Sequence, residues 1–405
     1  MKTITQHNWH KIKLGNLAKI TRGSSPRPIA DQRYFDGGTI PWIKIADATK
    51  SGKYLYKTKE HVNEFGASFS RLLPKGSLIV AASGTLGYTQ LLGVSGCVHD
   101  GWLIVEPSES LNIDFLYYLL KQQQKYFENH AYGAAIQNVN TGILKDLEVA
   151  IPDIDEQTEI GTILSTYDYL IENNARRIKI LEQMAQSIYS EYFVKPLENA
   201  VLPKGWDISV LGDHLDELES GSRPKGGVGE IKEGVPSVGA ENINGIGSHD
   251  YSSEKYVAES FFSQMNKGVV RDRDVAIYKD GAYIGRSSYF RDGFPHKQFS
   301  VNEHVFLLRS SGKRITQNFL YLWLREPLTI HEIRATNANA AQPGINQSGI
   351  RGLKITLPPK ELLKEFDNKV EPMLAFIINL AKQNNELRMA RDLLSPKLVT
   401  GKIKL

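Results

Sequence analysis

The sequence predicts an α+β protein with two homologous mixed α/β domains and two long antiparallel coiled-coil helices, related by a pseudo-twofold axis. Two observations predict it. The chain says nearly the same thing twice in the same order, and each copy runs into a long heptad-patterned segment. Trp9 with Leu14-Gly15 returns as Trp206 with Leu211-Gly212. Gly23-Ser24-Ser25-Pro26-Arg27 returns as Gly221-Ser222-Arg223-Pro224-Lys225, and Ile40-Pro41-Trp42-Ile43 as Val235-Pro236-Ser237-Val238. Phe115 to Leu119 returns as Phe319 to Trp323, and Gly142-Ile143, Leu147 and Ile151-Pro152 as Gly349-Ile350, Leu353 and Leu357-Pro358. Such a period is too long for a solenoid and describes a tandem domain pair. A duplicated fold with diverged loops suits double-stranded DNA carrying a split recognition site.

In the first copy, Ser77 to Ala81 and Trp102 to Val105 are short apolar runs bounded by Gly, Pro and Asp, which reads as strands. Ile113 to Tyr126 carries helical spacing after Asn112, a natural N-cap. In the second copy, Val275-Ala276-Ile277 and Val305 to Leu308 replace the strands, and Ile315 to Leu324 the helix.

The long segments differ in kind. Apolar residues fall at Ile160, Ile163, Tyr167, Ile171, Ile178, Leu181, Ala185, Ile188 and Tyr192. They fall again at Leu362, Phe366, Val370, Met373, Ile377, Leu380, Leu387 and Leu394. This alternation of threes and fours is a coiled-coil seam. Asn174 and Asn384 fall in register. Each is either a buried amide that fixes register or a residue at the edge of the seam. Each helix spans about 50–60 Å, more than one DNA turn of roughly 34–36 Å. Paired antiparallel, they form a ruler with a reading head at each end. The expected boundaries are 1–153, 154–200, 201–360 and 361–405.

Bulk composition narrows the function. With 405 residues, 41% of them hydrophobic, two sizeable cores are possible, while a net charge of +4 is only a weak hint of an acidic partner. Distribution says more: residues 1–60 hold 12 Lys/Arg against 4 Asp/Glu, and residues 151–200 hold 4 against 9. A basic N-terminal face and an acidic helix imply different partners. The single cysteine, Cys97, excludes an intramolecular disulfide and a cysteine zinc site, and fits a reducing, cytoplasmic setting. No signal-peptide core and no membrane-length apolar run is present.

Candidate chemistry fails on context. Cys97, His99 and Asp100 suggest a nucleophile, but Ser300, Asn302 and Glu303 align with them. Asp216, Glu230 and Lys232 imitate a nuclease set only loosely, and Gly226 to Gly229 lacks a P-loop context. No Asp/Asn-Pro-Pro-aromatic methyltransferase motif occurs, and the ten histidines show no metal-ligand spacing. The chain is therefore expected to hold no catalytic residue and no metal.

Gly142 to Gln157, passing through Ile151-Pro152 to Glu156-Gln157, resembles the junction between recognition domain and helix in specificity subunits of type I restriction-modification enzymes. Leu394 to Ile403 resembles that family's C-terminal ending, and the paired Gly-Ser-x-Pro loops its recognition-domain starts. The resemblance covers essentially the whole chain. It departs at the second helix start, where Leu362-Leu363 stand in place of Glu156-Gln157. The resemblance implies two target-recognition domains and a subunit that does no chemistry and holds no cofactor. It would read a bipartite DNA site, one half per domain. Its partners would be two modification subunits using S-adenosylmethionine and restriction subunits using ATP and Mg²⁺. A self-sufficient methyltransferase or nuclease, and a coiled-coil protein scaffold, are the alternatives.

The candidate DNA contacts lie in loops. Arg22, Ser24, Arg27, Arg223 and Lys225 belong to the Gly-Ser-x-Pro loops and suit phosphates or guanine edges. Lys44 and Lys50 are basic residues beside Trp42 and Tyr54. Thr85 and Tyr88, and Lys279, Tyr283 and Arg286, flank equivalent glycine turns. Gln137 and Asn138, and Asn337, Asn339, Gln342 and Asn346, occupy small-residue loops, where an amide can read adenine N6 and N7. The acidic stretch Asp153 to Glu159 is a candidate docking surface for subunits.

Overall fold

The computed structural model describes residues 9–49, 51–131, 138–198, 201–229, 231–336 and 344–405. By contacts the chain divides into two units. One comprises residues 1–172 and 386–405, the other residues 173–385.

In the first unit, His10–Lys13 pairs antiparallel with Glu148–Ile151. The central sheet runs Ala18–Arg22, Trp102–Pro107, Leu78–Ala81, Thr89–Leu92, Tyr54–Leu55. A second sheet runs Glu60–Val62, Ile40–Ile43, Gly96–Val98, Arg71–Leu73, with Trp42 and Ile43 paired parallel to Cys97 and Val98. Phe115, Leu116, Leu119 and Leu120 bury one helix face against Leu78, Val80, Leu103 and Val105.

The second unit repeats the plan. Asp207–Val210 pairs with Lys354–Leu357. The central sheet runs Leu215–Ser220, Val305–Ser310, Asp274–Tyr278, Ser287–Phe290. Ser237 and Val238 pair parallel to Ser300 and Val301. Every sequence correspondence that falls on a strand thus finds an equivalent strand.

Two helix expectations change in detail. The helix expected over Ile113 to Tyr126 is two, Ile113–Lys121 and Gln124–His130. Asn112 does cap the first, accepting from Asp114 N and Phe115 N at 3.0 Å each. In the second unit Thr316 caps Gln317–Trp323, so Ile315 precedes the helix and is a core residue.

The long helices span Ile154–Tyr189 and Lys360–Leu398. Both begin at the same distance beyond the closing strand despite the departure in sequence. At the first start Gln157 is buried, accepts from Asn112 N at 2.9 Å and donates to Pro152 O at 3.0 Å. At the second, Leu363 replaces that polar anchor with apolar packing against Phe366 and its neighbours. Within the first unit the helices run antiparallel: Ile160 and Leu164 share a core with Leu398 and Val399, while Asp168 pairs with Arg391. Within the second unit Phe193 meets Phe366 edge to face (4.8 Å between centroids) and Arg177 lies over Phe376 (4.9 Å), again antiparallel. Asn174 and Asn384 are both buried, which favours the register-fixing reading over the edge one.

Candidate nucleic-acid interface

Strand register brings separate loops to one end of each central sheet. In the first unit Leu103 faces Arg22 and Trp102 faces Ala81. The loop after Arg22, the turn after Ala81 and the loop before Trp102 therefore emerge together. Ala82 N donates to Gly101 O, and Val139 N to Ala82 O, both at 2.8 Å. These bonds add the loop ending at Asn138. In the second unit Phe306 faces Ser220, Val305 faces Tyr278, and Gly344 bridges Asp280.

The Gly-Ser-x-Pro loops are anchored identically. Gly23 N donates to Trp102 O (2.9 Å) and Ser24 N to Val98 O (3.2 Å); Gly221 N donates to Val305 O (3.1 Å) and Ser222 N to Val301 O (3.3 Å). The glycine is required by close approach. A Cβ at Gly23 would stand 2.2 Å from His99 O, and one at Gly221 would stand 1.9 Å from Val301 O. Backbone cannot yield as a flexible side chain can. Gly221→Ala is therefore expected to destabilise the second unit by about 3 kcal/mol, the upper part of the overpacking range. A denaturant midpoint unchanged from wild type would show that the loop can simply move.

An acidic residue then holds the basic tip. Asp100 accepts from Ser25 Oγ at 2.9 Å and pairs with Arg27, and its carbonyl accepts from Arg22 Nε at 2.6 Å. In the other half Glu303 pairs with Arg223 Nε at 2.9 Å. Asp100 and Glu303 align in the repeat, as do Ser25 and Arg223, so this pairing is part of the duplicated plan. Burial alone would raise the Asp100 carboxyl; the Ser25 hydroxyl and the Arg27 guanidinium outweigh it and hold it below the usual carboxylate range. Both arginines keep outward exposure, with 65% of the Arg27 side chain and 59% of that of Arg223 accessible. They are oriented but still reachable by a ligand. Lys225 is exposed.

The other candidates divide by task. Ser24 Oγ donates to Phe69 O at 2.8 Å. Lys44 pairs with Glu60 at 2.6 Å. Thr85 is exposed in the turn after Ala81. Tyr88 is half-buried and donates its hydroxyl to Ala48 O at 2.9 Å. Asn138 lies beside that turn. Lys279 lies over Phe306, and Arg286 stacks 3.9 Å over Tyr283 while donating to Asn244 at 3.1 Å. Asn346 caps Gln347–Arg351, accepting from Gly349 N at 2.8 Å, as Asn140 caps Thr141–Asp146. Lys50, Gln137, Asn337, Asn339 and Gln342 lie outside the described residues, as does Glu230.

The sequence alone leaves the role of several neighbours unassigned. Asp100 and Glu303 were legible only by asking what the repeat aligns across strands. His304 joins Asp280 (2.6 Å) to Glu303 (3.2 Å) in the second unit. Phe65 and Phe69 are exposed aromatics, Phe69 touching Ser24. Arg325 and Arg334 join Arg286 and Asn244 around a cleft of about 310 Å³. What these surfaces offer is cationic and amide donors. Cys97 is fully buried against Trp42 and Val62, and burial pushes its thiol up, away from nucleophilic use.

The family described as "Type I restriction modification DNA specificity domain" matches residues 6–183 and again 203–387. The chain is similar to the type I restriction enzyme MjaIX specificity subunit of Methanocaldococcus jannaschii, 27% identical over 98% of this chain and 94% of that protein. It is also similar to the EcoprrI specificity subunit of Escherichia coli, 19% identical over 86% of this chain and 84% of that one. In fold it resembles the crystal structure of a type I restriction-modification S subunit from M. genitalium, with a TM-score of 0.63 at 19% identity over 98% of both chains. With both halves matched, the chain belongs to the type I restriction-modification DNA specificity family and carries its domain twice.

Proposed function

We propose that each domain reads one half of a bipartite DNA site through the loops at the end of its central sheet, and that the long helices set the distance between the halves. As a member of its family the chain is a specificity subunit of a type I restriction-modification system and is itself non-catalytic. The proposed division is 1–153 and 201–360 for the target-recognition domains, with 154–200 and 361–405 as spacer helices and tail. The reading rests on one observation above others. The aligned acids Asp100 and Glu303 hold basic residues of the equivalent loops at the same end of each sheet while leaving them exposed. A guanidinium so fixed loses less freedom on meeting a phosphate or a guanine edge. The proposed partners are double-stranded DNA, two modification subunits using S-adenosylmethionine, and restriction subunits using ATP and Mg²⁺, in the cytoplasm. The acidic start of the first helix, Asp153 to Glu159, is the proposed docking surface for them.

The test is sequence-selective DNA retention by the chain with its modification subunit at about 150 mM salt, where non-specific binding is weak. Arg27→Ala and Arg223→Ala are each expected to weaken retention. Loss of a phosphate contact reduces the salt slope by about one and weakens all sequences equally. Loss of a base contact costs about 1–3 kcal/mol and relaxes one position of one half-site. Retention unchanged in both variants would remove these loops from the interface. Charge reversal at Asp155 and Glu159 should weaken assembly with the modification subunit while each domain stays folded.

A further inference from the structure

In the second unit, the segment from Gly239 to Lys255 has little regular structure beyond the short turns Ala240–Asn242 and Tyr251–Ser253. It nevertheless carries a well-defined polar cluster. His249 Nε2 lies 2.5 Å from Glu254 Oε1, and His296 Nε2 reaches the same oxygen from the connection that follows Ser287–Phe290. One ligand atom from each of the three residues lies within 4.8 Å of the others. The His249 and Glu254 side chains are almost wholly buried, at 1% and 7% exposure, while His296 keeps 26%. Tyr256 donates its hydroxyl to the second Glu254 oxygen at 2.8 Å, and the Tyr251 ring packs against both imidazoles, at 4.6 and 5.6 Å between centroids.

We propose that His249, Glu254 and His296 bind a divalent ion of the zinc class, with water as fourth ligand on the exposed side of His296. Two imidazoles and one carboxylate suit Zn²⁺, whereas Mg²⁺ and Ca²⁺ prefer all-oxygen sets. Tetrahedral bonds of about 2.1 Å place donor atoms about 3.4 Å apart. The nitrogen–oxygen pair at 2.5 Å needs to open by under about 1 Å to admit the ion. Tyr256 supplies the outer hydrogen bond that orients a ligating carboxylate. The bound ion would cross-link a segment with few ladder hydrogen bonds to the 291–299 connection, and so add to the stability of this unit. None of the three ligands is among the candidate DNA-contacting residues.

The experiment uses the full chain, stripped with a chelator and titrated with Zn²⁺. Expected are uptake of one ion per chain, a Zn²⁺-dependent rise in Tm that Mg²⁺ does not reproduce, and a tetrahedral visible spectrum with Co²⁺. His296→Ala should weaken binding at least about 100-fold, because even the outer partners of ligands are worth about 10–100-fold. Tyr256→Phe should weaken it about 10-fold by the same reasoning. If the wild type shows no Zn²⁺-dependent Tm rise, or the rise survives in both His296→Ala and Glu254→Gln, the cluster is a hydrogen-bonded triad that needs no ion. Should a variant fail to fold, the Co²⁺ spectrum of the wild type decides, its absence overturning the proposal.

Discussion

Replacing Glu371 by Gln should lower the stability of the second unit by about 3 kcal/mol. Glu371 lies on the second long helix and accepts from Arg291 Nη2 (2.7 Å), Arg273 Nη2 (2.6 Å) and Asn318 Nδ2 (2.9 Å). The Arg291 side chain is only 1% exposed, so its charge has almost no water to fall back on. Removing one partner of a buried pair costs about 3–5 kcal/mol. The lower end applies because Asp292 still pairs with Arg291 Nε and Glu371 is itself a third exposed. For a unit of this size the change corresponds to about 6–12 °C in Tm.

The same contacts predict a pH signature. Burial alone would raise the Glu371 carboxyl; hydrogen bonds from Arg291, Arg273 and Asn318 outweigh it and bring it down to about 2. A carboxylate depressed on folding contributes stability that is complete above its ordinary value of 4.5 and is lost as pH falls toward 2. Asp367, raised by burial beside the same network, pulls the opposite way in both proteins, so the comparison is made by difference. The gap between wild type and Glu371→Gln should be full at pH 7 and should shrink below pH 4.5. A gap that stays constant down to pH 3, in denaturant titrations, would mean that packing and not charge holds this helix to the domain.

The sequence announces the parts of this molecule that repeat and the parts that are periodic. Pairing Ile40 to Ile43 with Val235 to Val238 locates two equivalent strands, because duplication preserves what the core needs. The heptad runs locate both long helices, because a seam must recur every three or four residues. The break at Gln122-Gln123 was hidden, since Phe115 to Tyr126 keeps its apolar spacing across it. Partners brought together from distant segments leave no local trace. Glu371 with Arg291, and His249 with His296, meet only because the fold carries them there. Gly221 shows a different limit: its role in a close approach to Val301 O cannot be told from a flexible or ligand-facing glycine until the neighbouring backbone is placed.

Adding one heptad to both long helices should move the preferred spacer of the DNA site and leave both half-sites unchanged. The matched insertion points are after Glu172 and after Asn385, where the chain passes between its two units, so the internal packing of each unit is kept. Seven helical residues add about 10.5 Å, the rise of about three base pairs at roughly 3.4 Å each. The rotations do not match as well as the lengths. A heptad turns a helix face by only about 20°, whereas three base pairs turn B-DNA by roughly 100°, given 10–10.5 per turn. The lengthened protein can therefore match the new distance only by straining its own seam or twisting the duplex. Its optimal spacer should be about three base pairs longer, and its affinity there weaker than that of the wild type at its own spacer. Mapping methylated adenines in cells making the variant with its partners reads both quantities together. An unmoved spacer would show that the helices do not set the distance. Altered half-site bases would show that base reading is not confined to the loops at the sheet ends, since those loops are untouched by the insertion.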